Sequence, residues 1–202
     1  MADGATSAGR SRQAPIRIGA VVALALAIAF VVWLVVRGND NTSSTAKTST
    51  THKPGKKTPK PRETIKAASP QTLRALAQAS GHPIYWAGPQ PKVKYELTQV
   101  TDGRIYIRYL PKGVPIGDRR AAYLIVATYP VKDAYKAVRT AAKESGAVTF
   151  HTSRGGLAVY NQSAATNVYL AYPGSKFQVE VFDPNPSRAR QLVRSGTVRP
   201  IA

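Results

Sequence analysis

Ile18 to Val36 reads IGAVVALALAIAFVVWLVV, nineteen positions without a charged side chain. As a helix this run spans roughly 28 Å at ~1.5 Å per residue, close to the ~30 Å hydrocarbon core of a bilayer. Arg17 and Arg37 bracket it, and Trp33 lies one turn from its end, where an indole sits at headgroup level. A buried core helix would keep a polar face, and this run has none. A cleaved signal peptide carries a shorter apolar stretch of ~7–15 residues followed by a small-x-small site. The run here is longer and leads into VVWLVVRGND, which has no such site. The expectation is an uncleaved signal-anchor: a short cytoplasmic tail (1–17), then a single transmembrane helix (18–36).

Arg10, Arg12 and Arg17 precede the span and favour a cytoplasmic N-terminus. Basic residues also follow it, but Arg37 aside they start ten positions on, and long C-terminal domains translocate largely regardless of charge. The expected address is therefore the cell membrane, single-pass, with the C-terminal domain extracytoplasmic. Gly19, Ala23 and Ala27 recur every four residues. Such a strip lets two helices approach closely, so a homodimer through this seam is an expectation.

Residues 37–68 change character, with Thr, Ser, Lys and Pro dominating. A segment this poor in apolar groups cannot offset its ordering entropy and is expected to be a disordered tether. Seven basic residues against two acidic ones run from Gly38 to Ala68. KPGKKTPKPR resembles a nucleic-acid patch, but beside a membrane span a solvated stalk resting on anionic headgroups is the simpler reading. Nucleic acid is thus disfavoured as a partner.

The folded domain is expected over 69–202. Ser69-Pro70 reads as an N-cap followed by proline at the first helical position, and Gly81 as the helix stop. Val93–Thr101 and Arg104–Leu110 flank Asp102-Gly103, a hairpin signal. A two-residue turn would set Val100 opposite Ile105, Thr98 opposite Ile107 and Glu96 opposite Tyr109. Tyr95 would then share a face with Arg104, Tyr106 and Arg108. AAYLIVATY (121–129) reads as a central strand, and 130–145 as a helix with Ala134, Val138, Ala141 and Ala142 buried. Four short strands follow, then a helix opened by Asn185-Pro186. The expected fold class is α+β: an N-terminal transmembrane helix, a disordered tether, then an antiparallel sheet with helices packed on one face.

Cysteine is absent, which removes disulfides, thiol nucleophiles and thiolate metal sites. His52, His82 and His151 stand in no spacing relation to each other or to acids, so no metal is expected. No nucleophile elbow, phosphate-binding loop or dinucleotide fingerprint occurs, so no cofactor and no catalytic residues are expected. Binding fits better. Residues 70–202 carry 18 basic and 7 acidic side chains and all ten tyrosines. Arginine interleaved with tyrosine suits polyanions or sugars, so Tyr95, Arg104, Tyr106 and Arg108 form the candidate ligand-binding face. The competing reading is that strands favour tyrosine anyway.

GHPIYWAGPQPKVKYELTQVTDGRIYIRYLP, with ATYPV, GGLAVYN and YPGSKFQVEVFDP further on, resembles single-pass membrane-anchored proteins of high-GC Gram-positive bacteria, a set with no known activity. The resemblance covers most of Leu73–Ile201 and implies a bacterial cell-envelope setting. It brings no catalytic residue. The leading expectation is a membrane-tethered extracytoplasmic binding or scaffolding domain, for an anionic wall polymer, a lipid surface or an envelope protein. A hydrolase or transferase acting on wall components, with His82–Trp86 lining a cleft, stays open. So does a cytoplasmic nucleic-acid binder of inverted topology.

Overall fold

The computed structural model describes residues 61–202. The apolar span, its seam of Gly19, Ala23 and Ala27, and the tether up to residue 60 lie outside the described residues. Among the described residues no helix is long and apolar enough to cross a membrane.

The elements run β1 (Glu63–Ala68), α1 (Pro70–Ser80), β2 (Tyr85–Trp86), β3 (Val93–Val100), β4 (Ile105–Pro111), β5 (Ile125–Pro130), α2 (Ala134–Ala141), β6 (Ala147–His151), β7 (Leu157–Asn161), β8 (Asn167–Ala171), β9 (Phe177–Phe182), α3 (Pro186–Arg194) and β10 (Arg199–Pro200). Eight strands form one antiparallel sheet in the order β1-β3-β4-β5-β9-β8-β7-β6. The fold is α+β, and the order divides into two four-stranded halves that meet at β5 and β9. A separate pair, β2 with β10, ties the C-terminal segment to the aromatic loop, Arg199 opposite Trp86 and Pro200 opposite Tyr85.

Local signals place the helices. The Ser69 hydroxyl accepts the Thr72 N–H at 3.1 Å, Pro70 opens α1, and Gly81 ends it at φ 64°. Asn185 Oδ1 accepts from the N–H groups of Ser187 and Arg188 at the start of α3. The chain enters α2 through Asp133 at φ 56°, a left-handed conformation that aspartate tolerates better than most residues.

Alternation along the strands sorts the core into two layers. Leu97, Ile107, Val126, Val168, Leu170, Val179 and Val181 point to one face and pack with Leu73 of α1 and Ala189 and Val193 of α3. Ala127, Tyr129, Val159, Tyr169 and Ala171 point to the other and pack under Ala134, Val138 and Ala141 of α2. The expected single helical face is therefore corrected: helices cover both faces, giving three layers. A strand such as β5, buried on both sides, gives no period-2 signal that would tell a one-sided sheet from a two-sided one.

Three further differences have physical causes. First, β1 is an ordered strand inside the segment expected to be tether. It pairs with β3 from Glu63↔Val100 to Ala68↔Tyr95, although nearly all its residues are exposed and Ile65 is 46% exposed. Main-chain hydrogen bonds hold an edge strand without a hydrophobic period to announce it. Second, α2 starts at Ala134, since β5 continues to Pro130, which lies opposite Phe177.

Third, the β3–β4 register is shifted by one. Gln99 opposes Ile105, Thr98 opposes Tyr106, Leu97 opposes Ile107 and Glu96 opposes Arg108. Gly103 donates to the Val100 carbonyl at 3.0 Å, and Val100 donates to the Arg104 carbonyl at 2.9 Å. Gly103 sits at φ 88° while Asp102 keeps a negative φ. A two-residue type I′ turn needs positive φ at both. The turn is instead the three-residue kind, with glycine as the bulge, and it exchanges which faces meet.

A methyl group at Gly103 would sit 2.9 Å from Pro130 Cγ, on a backbone that L-residues avoid. Gly103→Ala should lower stability by about 2 kcal/mol. A urea unfolding midpoint equal to the parent's would refute this account of the turn.

Candidate functional site

The shifted register divides the four hairpin residues expected to form one face. Tyr106 and Arg108 share a face with Glu96 and Thr98, whereas Tyr95 points to the opposite side with Leu97 and Tyr109. None of the four stands as an open ligand-binding group. Tyr95 is buried, edge-on to Tyr109, and its hydroxyl accepts the Gln90 N–H at 2.8 Å. Arg104 pairs with Asp102 at 2.7 Å and donates to the Tyr106 hydroxyl at 3.3 Å. Tyr106 packs edge-on against Tyr129. Arg108 donates to Glu96 and to the Asp118 carbonyl, each at 2.6 Å, and to the Arg120 carbonyl at 3.0 Å.

Arg108 therefore works inward. Glu96 is 1% exposed and Arg108 13%, and the second Glu96 oxygen accepts the Gly117 N–H. The pair folds the β4–β5 connection over the sheet. It also fixes Tyr123, whose ring lies 5.5 Å from the Arg108 guanidinium and 5.6 Å from that of Arg120. Hydrogen bonds from the Arg120 side chain and backbone hold the Asp118 carboxyl down at about 2, so both charges of that loop pair persist at neutral pH.

A second polar cluster lies under α2. The Glu180 carboxylate accepts from the Tyr129 hydroxyl, from Asn167 Nδ2 at 2.5 Å and from the Tyr169 hydroxyl at 3.2 Å. Burial pushes the Glu180 carboxyl up from its ordinary range, against these three donors. Burial likewise raises Tyr129 and Tyr169. The cluster is enclosed and ties β5, β8 and β9 together.

An opening in the surface of the described residues lies elsewhere. Between the ends of β3, β4 and β5 and the first turn of α3 lies a half-open cavity of about 130 Å³. Its walls are Val93, Tyr109, Pro111, Tyr123 and Leu124, and its polar groups are Gln90, Asp183 and Arg188. Two tyrosines fix the loop that supplies Gln90. The Tyr109 hydroxyl accepts the Ala87 N–H at 2.7 Å and donates to the Gly88 carbonyl at 3.2 Å, while Tyr95 holds the Gln90 N–H. Tyr95 and Arg108 thus brace the wall of the cavity from behind.

Asp183 is 1% exposed. Its Oδ1 accepts the Asn185 N–H at 2.8 Å. Its Oδ2 lies 3.4 Å from Arg188 Nη1, an ion-pair distance, yet makes no hydrogen bond. Arg188 Nη2 instead donates to Gln90 Oε1 at 3.1 Å. Three buried side-chain atoms of the described residues make no hydrogen bond: Tyr172 Oη, Gln178 Nε2 and Asp183 Oδ2. Of the three, Asp183 alone lines this cavity.

In the sequence Asp183-Pro184 is a turn signal before the last helix, and nothing local marks it as part of a cavity. In His82–Trp86, Ile84, Tyr85 and Trp86 are buried in the core and His82 stacks on Phe177 at 4.8 Å. Among the described residues no group of three or more His, Cys, Asp or Glu could hold a metal ion. No protein-family model, no curated protein and no solved structure matches the chain.

Arg108→Ala leaves the Glu96 carboxylate buried without its cation and should cost about 3 kcal/mol in urea unfolding. Removing both partners should cost much less than the sum of the single changes. Additive losses would mean that the pair is not coupled.

The raised Glu180 carboxyl fixes the sign of a pH effect. The folded chain holds this proton more firmly than the unfolded chain does. The resulting stability is complete below the ordinary value of 4.5 and is lost as pH rises through the raised folded value. The stability of the parent relative to Glu180→Gln should therefore fall as pH rises through that window and level off above it. Melting temperatures of both proteins across the window check this, and a difference independent of pH contradicts it.

Proposed function

We propose that this chain is a membrane-tethered domain standing on the outer side of the cytoplasmic membrane, where it binds an envelope component. The charge-free run at 18–36, the arginines before it and the Ser/Thr/Lys/Pro-rich stretch after it support that address. The resemblance to membrane-anchored proteins of Gram-positive bacteria points the same way.

One observation carries the binding reading: a half-open cavity lined mostly by apolar side chains gathers Gln90, Asp183 and Arg188 at one place. Pockets of mostly apolar lining with a few convergent polar groups are the usual form of a ligand site. An arginine and an amide accompany Asp183, groups that hold a ligand. The lining includes neither a second carboxylate nor a histidine to move its proton, so binding is favoured over hydrolysis or transfer. Lys92, Lys94 and Lys112 stand exposed at the end of the β3–β4 pair, beside the lining residues Val93 and Pro111. That basic rim suits a partner presented on an anionic wall polymer or lipid surface.

Protease added to intact cells carrying the chain should cut within the tether and release the folded domain. A domain protected until the cells are opened would overturn the extracytoplasmic address and favour the inverted arrangement. The full-length chain in mild detergent should also co-sediment with isolated envelope material, less so as salt rises. Absence of salt-sensitive retention would remove the anionic partner.

A further inference from the structure

We propose that β1 is a self-pairing edge: two copies of this chain join β1 to β1, antiparallel about a two-fold axis at Ile65, into one continuous sheet. This is independent of the cavity and draws on the proposed anchoring of the chain in a membrane.

The first argument is an edge left open. The sheet ends in β1 and β6, and no described element pairs with the outer side of β1. Such an edge is a template for another strand, and native folds usually guard it. At the middle of β1 stands Ile65, 46% exposed, the one exposed large apolar side chain among the described residues.

The second argument is which main-chain groups point outward. The Thr101 N–H donates to the Arg62 carbonyl at 3.0 Å, so Arg62 turns its main chain toward β3. Hydrogen-bonded and non-hydrogen-bonded positions alternate along an antiparallel pair. Thr64, Lys66 and Ala68 therefore bond to β3, while Glu63, Ile65 and Ala67 hold their N–H and C=O groups outward.

Charge fixes the occupant and the register. With the axis at Ile65, Glu63 faces the partner's Ala67, and Ile65 faces the partner's Ile65. Every outward group of β1 is then used, in about six main-chain hydrogen bonds at two per bonded pair. The two isoleucines cover each other, and Lys66 stands opposite the partner's Thr64. Moving the axis to Thr64 sets Arg62 against the partner's Lys66. Moving it to Lys66 opposes two lysines, and moving it to Glu63 opposes two carboxylates; like charges directly opposite are destabilising. Moving it to Ala67 runs Ile65 past the end of the partner's strand. A two-fold pair also closes on itself, whereas β1 docked on β6 of another copy would continue into a fibre.

A six-residue edge pair is weak between free domains. Anchoring changes that, because β1 directly follows the segment leading from the apolar run, and copies held in one membrane meet at effective concentrations of ~mM.

The chain has no cysteine, so an introduced one reports only its own neighbours. The full-length chain is placed in lipid vesicles with Ile65→Cys, Thr64→Cys, Lys66→Cys or, on β6, Thr149→Cys, and exposed to a mild oxidant. At the axis Cα atoms lie ~5.5 Å apart, within disulfide reach, whereas Thr64 and Lys66 lie diagonal to their copies at ~7–8 Å. I65C should form a disulfide-linked dimer at least about fivefold faster than T64C, K66C or T149C. A second series carries Glu63→Cys and Ala67→Cys together, which should also cross-link between copies, and adds Ile65→Pro or Ile65→Lys. Proline at 65 removes only an outward N–H, so melting should stay within about 5 °C of the parent while cross-linking falls at least about fivefold. Lysine at 65 opposes two ammonium groups at the axis and should give the same loss should I65P fail to fold.

Equal cross-linking of I65C, T64C and K66C would overturn the proposal, since a dimer held only through the apolar span sets no register at β1. So would cross-linking of T149C in place of I65C, which would move the contact to β6. Undiminished cross-linking with I65P or I65K would do the same. No cross-link at all, alongside release of the domain by external protease, would sink the pairing and leave the proposed address standing.

Discussion

The pairing of β5 with β9 holds this domain together. Each half of the sheet is assembled from neighbours close in sequence, apart from β1 with β3, but the halves meet only where Ile125–Pro130 lies against Phe177–Phe182. Both faces of that seam are buried, by α1 and α3 on one side and α2 on the other. A polar group within it must therefore be satisfied from inside. Glu180 is such a group, and the Tyr129 hydroxyl reaches it from the neighbouring strand. The cluster joins the halves through side chains as well as main chain. Tyr129, Tyr169 and Asn167 converge as donors on one carboxylate, and a buried polar network satisfied in this way rigidifies and specifies the arrangement around it.

The same economy explains the tyrosines. A basic, tyrosine-rich domain invites the idea of an exposed contact surface. Here Tyr95 and Tyr109 spend their hydroxyls on the 87–90 loop, and Tyr129 and Tyr169 spend theirs on Glu180. Each ring fills the core while its polar tip reaches a main-chain or carboxylate partner, which is how a buried tyrosine avoids an unpaired hydroxyl. Arginine behaves likewise. Arg108 uses its guanidinium on Glu96 and two carbonyls, and Arg194 and Arg190 lie over Phe150 and Tyr160. Counting basic and aromatic residues along the chain therefore overstated the surface on offer.

What could be read from the sequence was the information that is local. Ser69-Pro70 and Asn185-Pro186 are caps whose donors lie within three residues, and both act as read. The alternation of Phe177, Val179 and Val181 marks β9 for the same reason. What could not be read depends on partners distant in sequence. Asp102-Gly103 announces a hairpin, but whether aspartate takes a left-handed conformation decides between two turns, and that choice exchanges the faces of every following residue. It separated Tyr95 from Tyr106 and Arg108. Glu63–Ala68 carries no apolar period, so only its docking to β3 makes it a strand. The chain enters α2 through Asp133 in a left-handed conformation that no neighbouring residue announces. Asp183 could not be read as a cavity residue because Val93, Tyr109 and Leu124, which line the cavity with it, are brought there by strand ends far away in sequence.

Asp183 joins the end of the sheet to the helix that follows it. Asp183 follows β9 directly, on the face that carries Val179 and Val181, and its main-chain N–H is bonded to the Thr166 carbonyl at 3.1 Å. The turn into α3 needs one acceptor for the Asn185 N–H, and Oδ1 provides it. Asparagine or serine could supply that acceptor without burying a charge. What a carboxylate adds is charge. Arg188 Nη1 stands 3.4 Å from Oδ2, and the other guanidinium nitrogen donates to Gln90 at 3.1 Å, so the acid and one arginine of the first turn of α3 tie that helix to the loop carrying Gln90.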